Sequence, residues 1–229
     1  MSPRIAVHWS WVTEVALLAR LAPPADHELA TAAAAARALR DRVAELTADE
    51  PSPPELVVGL ESLLVRFAQP PDERSTAVGA RIAALVATRS ITPAREASDD
   101  PREHRFEVSY GGEDGPDLPL LARELGLREA EVVARHAGTL YTVGLVGFSP
   151  GFGYLLGLPR ELERPRLASP RPRVPAGSVA IAGPFSAVYP RATPGGWRLL
   201  GRTEATLFDP AAVPPARLAA GDRVRFVPR

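Results

Sequence analysis

The sequence predicts an α+β fold in which a small α/β unit precedes a β-barrel. A helix signal rich in alanine dominates the first half, and a polar, charged stretch over residues 89–103 indicates a linker between two domains. The second half is crowded with Gly and Pro turns from Gly147 to Asp209, which indicates short strands and rigid loops. With 229 residues, of which 45% are hydrophobic, the chain is long enough to form both cores.

The first domain is predicted over residues 1–88 and opens with an apolar strand at Val15–Leu21. Asp26 can cap the helix that follows, and the alanine run 32–36 favours that helix by propensity. The inward face of this helix would carry Leu39, Val43 and Leu46.

Two strands are expected within Glu55–Phe67, around a tight connection at Gly59, and a second helix is expected over Thr76–Ala87. The order strand, helix, strand, strand, helix is that of a ferredoxin-like unit. This half carries no chemical signal, so a scaffold for packing and docking is the simplest interpretation of the first domain.

The second domain is predicted over residues 104–229. It begins with a strand at His104–Tyr110, and two short helices follow at Asp117–Gly126 and Arg128–His136, the first capped by its aspartate. Strands then alternate with turns, and the final segment 221–227 is typical of an edge strand. Many short strands separated by Gly and Pro are typical of a barrel.

The composition excludes several kinds of chemistry. The chain has no cysteine and no lysine, which removes disulfides, thiolate nucleophiles, Schiff-base lysines and the lysine of a P-loop. Its four histidines do not cluster at metal-ligand spacing, so no metal site is expected. A formal net charge of zero disfavours broad attraction to nucleic acid or an anionic membrane. Because no long apolar run and no secretory signal are found, we expect a cytoplasmic protein.

His136 is the first candidate for chemistry, because it lies at the predicted C-terminal end of a helix. Helix carbonyls there favour the protonated imidazole, which predicts a raised pKa and a group able to donate or transfer a proton. The alternative is a histidine that caps its own helix.

The loop Gly147–Tyr154 combines glycines that permit close backbone approach with aromatic rings that form flat walls. Phe148 and Phe152 also fit the core of a β-hairpin, whereas Tyr154 has a polar tip and is the better candidate for a site. The loop is not a phosphate loop, because it lacks Gly-Lys and the G-x-G-x-x-G spacing. The candidate ligand-binding residues here are Phe148, Pro150, Gly151 and Tyr154.

Arg173 differs from the other arginines of segment 160–173, which are expected to be solvated or to contact a rim. It precedes the rigid turn Val174–Ser178, and an arginine beside such a turn is suited to a bidentate grip on a carboxylate. Ser178 is a candidate hydrogen-bond donor, whereas a nucleophilic serine would need a G-x-S-x-G motif. The candidate binding residues in this turn are Pro175, Gly177 and Ser178.

Two further Gly and Pro loops complete the candidate pocket. Thr193–Trp197 fits a type II turn with proline second and glycine third, and Tyr189 opens a similar loop. We expect these loops to converge on one rim of the barrel and to form the mouth of a pocket. The candidate binding residues here are Tyr189, Pro194, Gly195, Gly196 and Trp197.

The order of these motifs resembles that of one protein family. The motifs are His136, Gly147–Phe152, Tyr154–Leu155, Pro165–Arg166, Arg173–Val179, Tyr189–Pro190, Thr193–Trp197, Gly201–Thr203 and Leu207–Pro210. They resemble the B subunit of bacterial 5-oxoprolinase, a family also called allophanate hydrolase subunit 1 or the kinase-A-inhibitor (KipI) family. Gly153 departs from the pattern, since the family usually has proline there, and this predicts a less rigid loop.

The resemblance implies a ferredoxin-like domain, a cyclophilin-like barrel and two companion proteins. One companion is the C subunit, or allophanate hydrolase subunit 2, related to biotin-dependent carboxylases, and the other is an A subunit of the LamB/YcsF type. The three are associated with ATP-driven opening of 5-oxoproline to glutamate, and no ATP site is recognisable in this chain. The resemblance also implies that His136, Arg173 and the loop amides grip the substrate, and that the chain alone is inactive.

Two other functions are compatible with the family. One is inhibition of a sporulation histidine kinase, in which the barrel rim binds a protein surface and no reaction occurs. The other is a urea or allophanate pathway, whose substrate is also a small amide. The sequence alone does not separate these functions from oxoproline hydrolysis.

Overall fold

The computed structural model describes residues 4–23, 29–70, 84, 86–87, 89–92 and 101–229. The chain divides into two compact units, Met1–Asp99 and Asp100–Arg229, and each has its own hydrophobic core. The predicted fold class, α+β with a ferredoxin-like unit followed by a β-barrel, is confirmed.

The first unit is an antiparallel sheet with a long helix, α1, at Leu29–Leu46. Its strands are β1 Ile5–Thr13, β2 Ala16–Ala22, β3 Glu55–Val58, β4 Ser62–Arg66 and β5 Ser90–Ile91. The order across the sheet is β3-β4-β2-β1-β5, and all neighbours are antiparallel.

Two strands of this sheet differ from the prediction. The prediction omits β1, although buried Ile5 and Val7 alternate with the exposed His8 in the period of a half-buried strand. It also places Ser90–Ile91 in the linker 89–103. These residues instead pair with β1, which satisfies backbone groups along that edge of the sheet.

Helix α1 buries one face against the sheet. Leu39 and Val43 are fully buried, as predicted, and Leu46 packs at the margin of the same core. Buried alanines earlier in the helix contribute small side chains to that face. The predicted cap Asp26 lies outside the described residues, as does most of the predicted helix Thr76–Ala87.

The second unit is a closed barrel. Its strands are β6 Glu103–Tyr110, β7 Leu140–Val146, β8 Gly153–Leu156, β10 Ser178–Ala182, β11 Phe185–Val188, β13 Arg198–Arg202 and β14 Arg223–Pro228. Around the barrel their order is β10-β11-β8-β7-β14-β6-β13. The prediction of an edge strand at 221–227 is wrong, because β14 pairs with both β6 and β7 and closes the barrel.

Two further strands, two α-helices and a short 3₁₀ helix at Arg160–Leu162 complete this unit. Strands β9 Arg171–Val174 and β12 Thr193–Gly195 pair with each other outside the barrel. Helices α2 Leu118–Leu125 and α3 Glu129–Ala137 occur where the sequence predicts them, and both contribute to the barrel core. As predicted, α2 ends at a glycine, Gly126, which is left-handed with φ of 67°.

Asp117 has a different role from the predicted helix cap. Its side chain makes no capping hydrogen bond to α2. The buried carboxylate instead accepts hydrogen bonds from Arg171, at 2.6 Å, and from the backbone N–H of Leu199, at 2.7 Å. These contacts fasten the start of α2 to β9 and β13.

The turn before β10 connects the ends of three barrel strands through Gly177. Its N–H donates to the carbonyl of Tyr189, at 2.8 Å, and its carbonyl accepts from the N–H of Thr203, at 2.9 Å. Gly177 has φ of +80°, and a Cβ added there would overlap the carbonyl oxygen of Thr203. Both the backbone angle and the close approach therefore require glycine.

Replacing Gly177 by alanine should destabilise the protein more than the same change at Gly112. Both glycines have positive φ, which costs alanine about 1–2 kcal/mol. A Cβ at Gly112 meets nothing within 4 Å, whereas the overlap at Gly177 adds about 1–3 kcal/mol of overpacking. Urea unfolding of the two variants measures both costs, and equal costs would contradict this structural role for Gly177.

Candidate functional site

A cavity of about 210 Å³ opens among the loops of the barrel unit. Its walls come from the β7–β8 loop, the start of β8, the segment before β9, and the residues between β11 and β13. The described lining residues are Phe148, Phe152, Tyr154, Arg166, Pro170, Tyr189, Pro194, Gly195, Gly196 and Trp197. Those that sequence reasoning proposes for ligand binding are Phe148, Tyr154, Tyr189, Pro194, Gly195, Gly196 and Trp197.

The ring of Phe152 holds the walls of this cavity together. Phe152 is 1% exposed and packs edge to face against Phe148, Tyr154, Tyr189 and Trp197, with ring centroids 5.1–5.6 Å apart. Such aromatic pairs contribute about 0.5–1.5 kcal/mol each beyond the area that they bury. The sequence indicates a core residue at Phe152, and the structure shows that this core residue also lines the cavity.

Phe148 lies at the edge of the cavity in a strained conformation. Its φ is 68°, in the left-handed region that side chains rarely adopt, and it is 63% exposed. Two hydrogen bonds of 3.0 Å fix its turn, from Gly147 N–H to the Phe152 carbonyl and from Phe152 N–H to the Ser149 carbonyl. Backbone strain of this kind clusters at ligand sites. Because the side chain of Phe148 is exposed, the alternative of a core aromatic is wrong for this residue.

Gly195 allows the phenol of Tyr189 to form part of the cavity wall. A Cβ at Gly195 would overlap the hydroxyl oxygen of Tyr189. The type II turn predicted over Thr193–Trp197 is wrong, because Gly195 has no positive φ and its segment pairs with β9. Burial raises the pKa of Tyr189, and the backbone of Trp197 and the charge of Arg166 oppose that rise.

Arg166 is the charged residue among the described lining residues, and the site prediction omits it. Its guanidinium carbon lies 6.0 Å from the centroid of the Trp197 ring, over the ring face. The quadrupole of the ring attracts a cation in this position. The sequence places Arg166 in the Pro165–Arg166 motif of the family pattern, but it carries no local signal that this side chain lines a pocket.

The structure does not bring Arg173 to the cavity. Its side chain is exposed on β9, and it is not among the described lining residues. On the same strand it is Arg171 that binds a carboxylate, that of Asp117. This ion pair joins β9 to the start of α2.

The remaining predicted binding residues also lie outside the described cavity lining. Gly151 has φ of +80°, and a Cβ there would approach the carbonyl oxygen of Leu207 to 2.8 Å. Ser178 is 2% exposed, and its carbonyl accepts from the N–H of Tyr189 at 2.9 Å. The residues of this group are Pro150, Gly151, Pro175, Gly177 and Ser178, and the contacts of Gly151, Gly177 and Ser178 belong to the barrel framework.

His136 lies in the barrel core and not at the cavity. It is fully buried, and its ring stacks on Phe226 with centroids 4.8 Å apart. Nδ1 is 2.7 Å from the Tyr110 hydroxyl, Nε2 is 2.9 Å from the Ser186 hydroxyl, and that hydroxyl is 3.3 Å from the Ala180 carbonyl. All these groups are satisfied if Tyr110 donates to Nδ1, Nε2–H donates to Ser186, and Ser186 donates to Ala180.

Burial lowers the pKa of His136 to about 3, so its imidazole is neutral. The prediction of a raised pKa is wrong, because the cost of removing a charge from water outweighs the attraction of the helix carbonyls. The same burial raises the pKa of the Tyr110 and Tyr141 hydroxyls. The predicted role of His136 in proton transfer finds no support in this placement.

The chemistry of the cavity is that of aromatic walls, two phenols and a guanidinium. Within the described part of the chain, no group of three or more His, Cys, Asp or Glu side chains is placed to hold a metal ion. In the same part of the chain, no helix combines the length and hydropathy that crossing a membrane requires.

Several known proteins are similar in sequence to this chain. Residues 7–218 match the family described as carboxyltransferase domain, subdomain C and D. The 5-oxoprolinase B subunit of Escherichia coli O157:H7 is 42% identical over 188 residues, which cover 82% of this chain and 84% of that protein. The 5-oxoprolinase B subunit of Bacillus subtilis (strain 168) is 50% identical over 120 residues, which cover 52% of this chain and 50% of that protein.

Solved structures share the fold. The crystal structure of TTHA0988 has a TM-score of 0.70 and 35% identity over 93% of this chain, which spans 40% of that protein. The conserved uncharacterized protein PH0987 from Pyrococcus horikoshii has a TM-score of 0.55 and 31% identity over 97% of both chains. The K. lactis urea amidolyase has a TM-score of 0.62 over 97% of this chain and 15% of its own, and its 16% identity shows the fold alone.

Acid should destabilise the protein through His136. Because the pKa of His136 falls from the usual 6.5 to about 3 on folding, the unfolded chain binds one more proton between those pH values. The contribution of His136 to the free energy of unfolding is therefore complete above pH 6.5. It is lost as the pH falls toward 3, by up to about 1.4 kcal/mol per pH unit.

Urea unfolding between pH 7.5 and 5 measures this slope. The free energy of unfolding of His136→Gln should depend less steeply on pH than that of the wild-type chain. That of His8→Gln, which changes an exposed histidine, should depend on pH as the wild type does. Parallel slopes for the wild type and His136→Gln would show that His136 is not held neutral in the folded protein.

Proposed function

The chain belongs to the 5-oxoprolinase B-subunit family, and we propose that it forms part of an enzyme that opens the lactam ring of 5-oxoproline to give glutamate. The observation that carries the proposal is the 42% identity to a 5-oxoprolinase B subunit along 84% of that protein. The cavity supports the proposal, because its size and walls suit a small ring.

The walls of the cavity match the chemistry of a five-membered lactam. Its volume of about 210 Å³ lies below the roughly 300–1,000 Å³ of pockets for drug-sized ligands, so the ligand is small. Phe148 and Trp197 offer apolar ring surface to the methylene groups of a lactam. The phenols of Tyr154 and Tyr189 offer hydrogen bonds to its amide.

We assign binding and orientation of the substrate to this chain. A lactam is resonance-stabilised, so its opening requires an activated carbonyl and a nucleophile. The described lining residues include no serine, histidine or carboxylate that could act as nucleophile or general base. The two companions, the C and A subunits, would bring reacting groups to the substrate held here, and this chain alone is expected to be inactive.

ATP is proposed to bind to the companions rather than to this chain. The sequence contains no lysine and no phosphate-binding glycine loop. The cavity is smaller than pockets for drug-sized ligands, and Arg166 is the charged residue among its described lining residues. These residues do not fit a nucleotide site, and no step of the reaction is assigned to ATP on this chain.

A mixture of this chain with its two companions, 5-oxoproline and ATP should release glutamate, whereas the chain alone should release none. Absence of glutamate from every combination of the wild-type proteins would contradict the proposal. It would favour the alternative in which the barrel rim binds another protein and no reaction occurs.

In the active mixture, Phe148→Ala should raise the KM for 5-oxoproline about tenfold, because the ring loses its contact with the substrate. Leu120→Ala is a matched control, since Leu120 is 45% exposed on α2 and is not among the described lining residues. Equal KM values for the two variants would show that the cavity does not hold the substrate.

A further inference from the structure

Several arginines of the barrel unit are paired with carboxylates. Among these pairs are Arg164 with Glu124, Arg198 with Glu124, and Arg171 with Asp117. Within the described part of the chain Arg166 forms no ion pair, which is also true of Arg160 and Arg173, but of these three it is Arg166 that is among the described lining residues. Its guanidinium carbon lies over the Trp197 ring, 6.0 Å from the ring centroid. A cation at the wall of the cavity is thus left without a counter-charge from the described residues.

The position of Arg166 leaves its hydrogen-bond donors available to a ligand. Arg166 is exposed at the cavity wall, and the N–H groups of a guanidinium lie at the edge of its plane, where they can meet a carboxylate in a fork. The other described lining residues carry no negative charge that would compete for these donors. The charge also acts inside the cavity, since it opposes the rise that burial causes in the pKa of Tyr189.

We propose that Arg166 binds the carboxylate of a ring-shaped acid in this cavity, which makes the cavity selective for small cyclic carboxylates over their neutral analogues. This inference rests on the proposed function and deepens it by naming the group that recognises the charge of the substrate. For 5-oxoproline, the carboxylate is the one on the carbon next to the lactam nitrogen.

The expected size of the effect follows from the exposure of Arg166. Hydrogen bonds to charged groups correspond to roughly 10- to 150-fold in affinity when they are made in a desolvated site. Arg166 is exposed, so solvent weakens the contact and about tenfold is expected. The effect should decrease at high salt, because mobile ions screen an exposed pair.

Binding to the full chain is measured by the fluorescence of Trp197 and, independently, by isothermal titration calorimetry. Trp9→Phe and Trp11→Phe remove the other tryptophans, so that the fluorescence reports on the cavity. The two probes are 5-oxoproline and its neutral primary carboxamide, which has the same ring. Before any change at Arg166, the chain should bind the acid about tenfold more tightly than the carboxamide.

Four variants test the assignment. Arg166→Gln should bind the two probes with equal affinity, and Arg166→Lys should keep part of the preference, because it keeps the charge but loses the fork. Arg160→Gln and Arg173→Gln change exposed arginines outside the described lining and should keep the full preference. A preference that survives Arg166→Gln or is lost in Arg173→Gln overturns the inference, and so does a wild-type chain that does not bind the acid.

Failure of this inference differs from failure of the proposed function. In the active mixture of subunits, Arg166→Gln should raise the KM for 5-oxoproline about tenfold. An unchanged KM overturns the inference and leaves the function standing. If the wild-type mixture releases no glutamate, the proposed function fails, while the comparison of acid with carboxamide still decides the inference.

Discussion

The cavity depends on the packing of a single buried ring, that of Phe152. Its edge-to-face contacts join Phe148 and Tyr154, which flank it in the Gly147–Tyr154 loop, to Tyr189 and Trp197 from the segment between β11 and β13. Because protein interiors are close-packed, a shift of one of these segments alters the contacts of the shared ring. The packing of this aromatic core therefore determines the positions of the loops and, through them, the shape of the cavity.

The local elements of the fold are largely predictable from the sequence. Apolar periodicity locates α1, and Gly126 marks the end of α2, because these signals depend on residues close together in the chain. The pairing of strands is less predictable. Arg223 pairs with Glu103 in the parallel contact between β14 and β6, and no local pattern records a contact between residues so distant in sequence.

The same distinction between local and distant effects explains which predicted site residues lie at the cavity and which do not. Its Gly- and Pro-rich loops and aromatic rings are visible as sequence patterns, so most of the described lining residues are among those that the sequence proposes, although the type II turn predicted at Thr193–Trp197 is wrong. His136 is predicted from a local effect, the helix end, but the surrounding barrel removes it from water and lowers its pKa. Arg166 and Arg173 share one arginine- and proline-rich segment, and contacts with residues distant in sequence, such as Trp197, decide which of them meets the cavity.

The central claim is that a small cyclic acid lies against the walls that Phe152 supports, with its carboxylate on Arg166. A crystal structure of the chain soaked with 5-oxoproline tests this claim most directly. We expect density for the ring beside Trp197 and Phe148, with carboxylate oxygens about 2.7–2.9 Å from the guanidinium nitrogens of Arg166. Ligand density elsewhere, such as beside Arg173, with no ligand in the cavity, would contradict it.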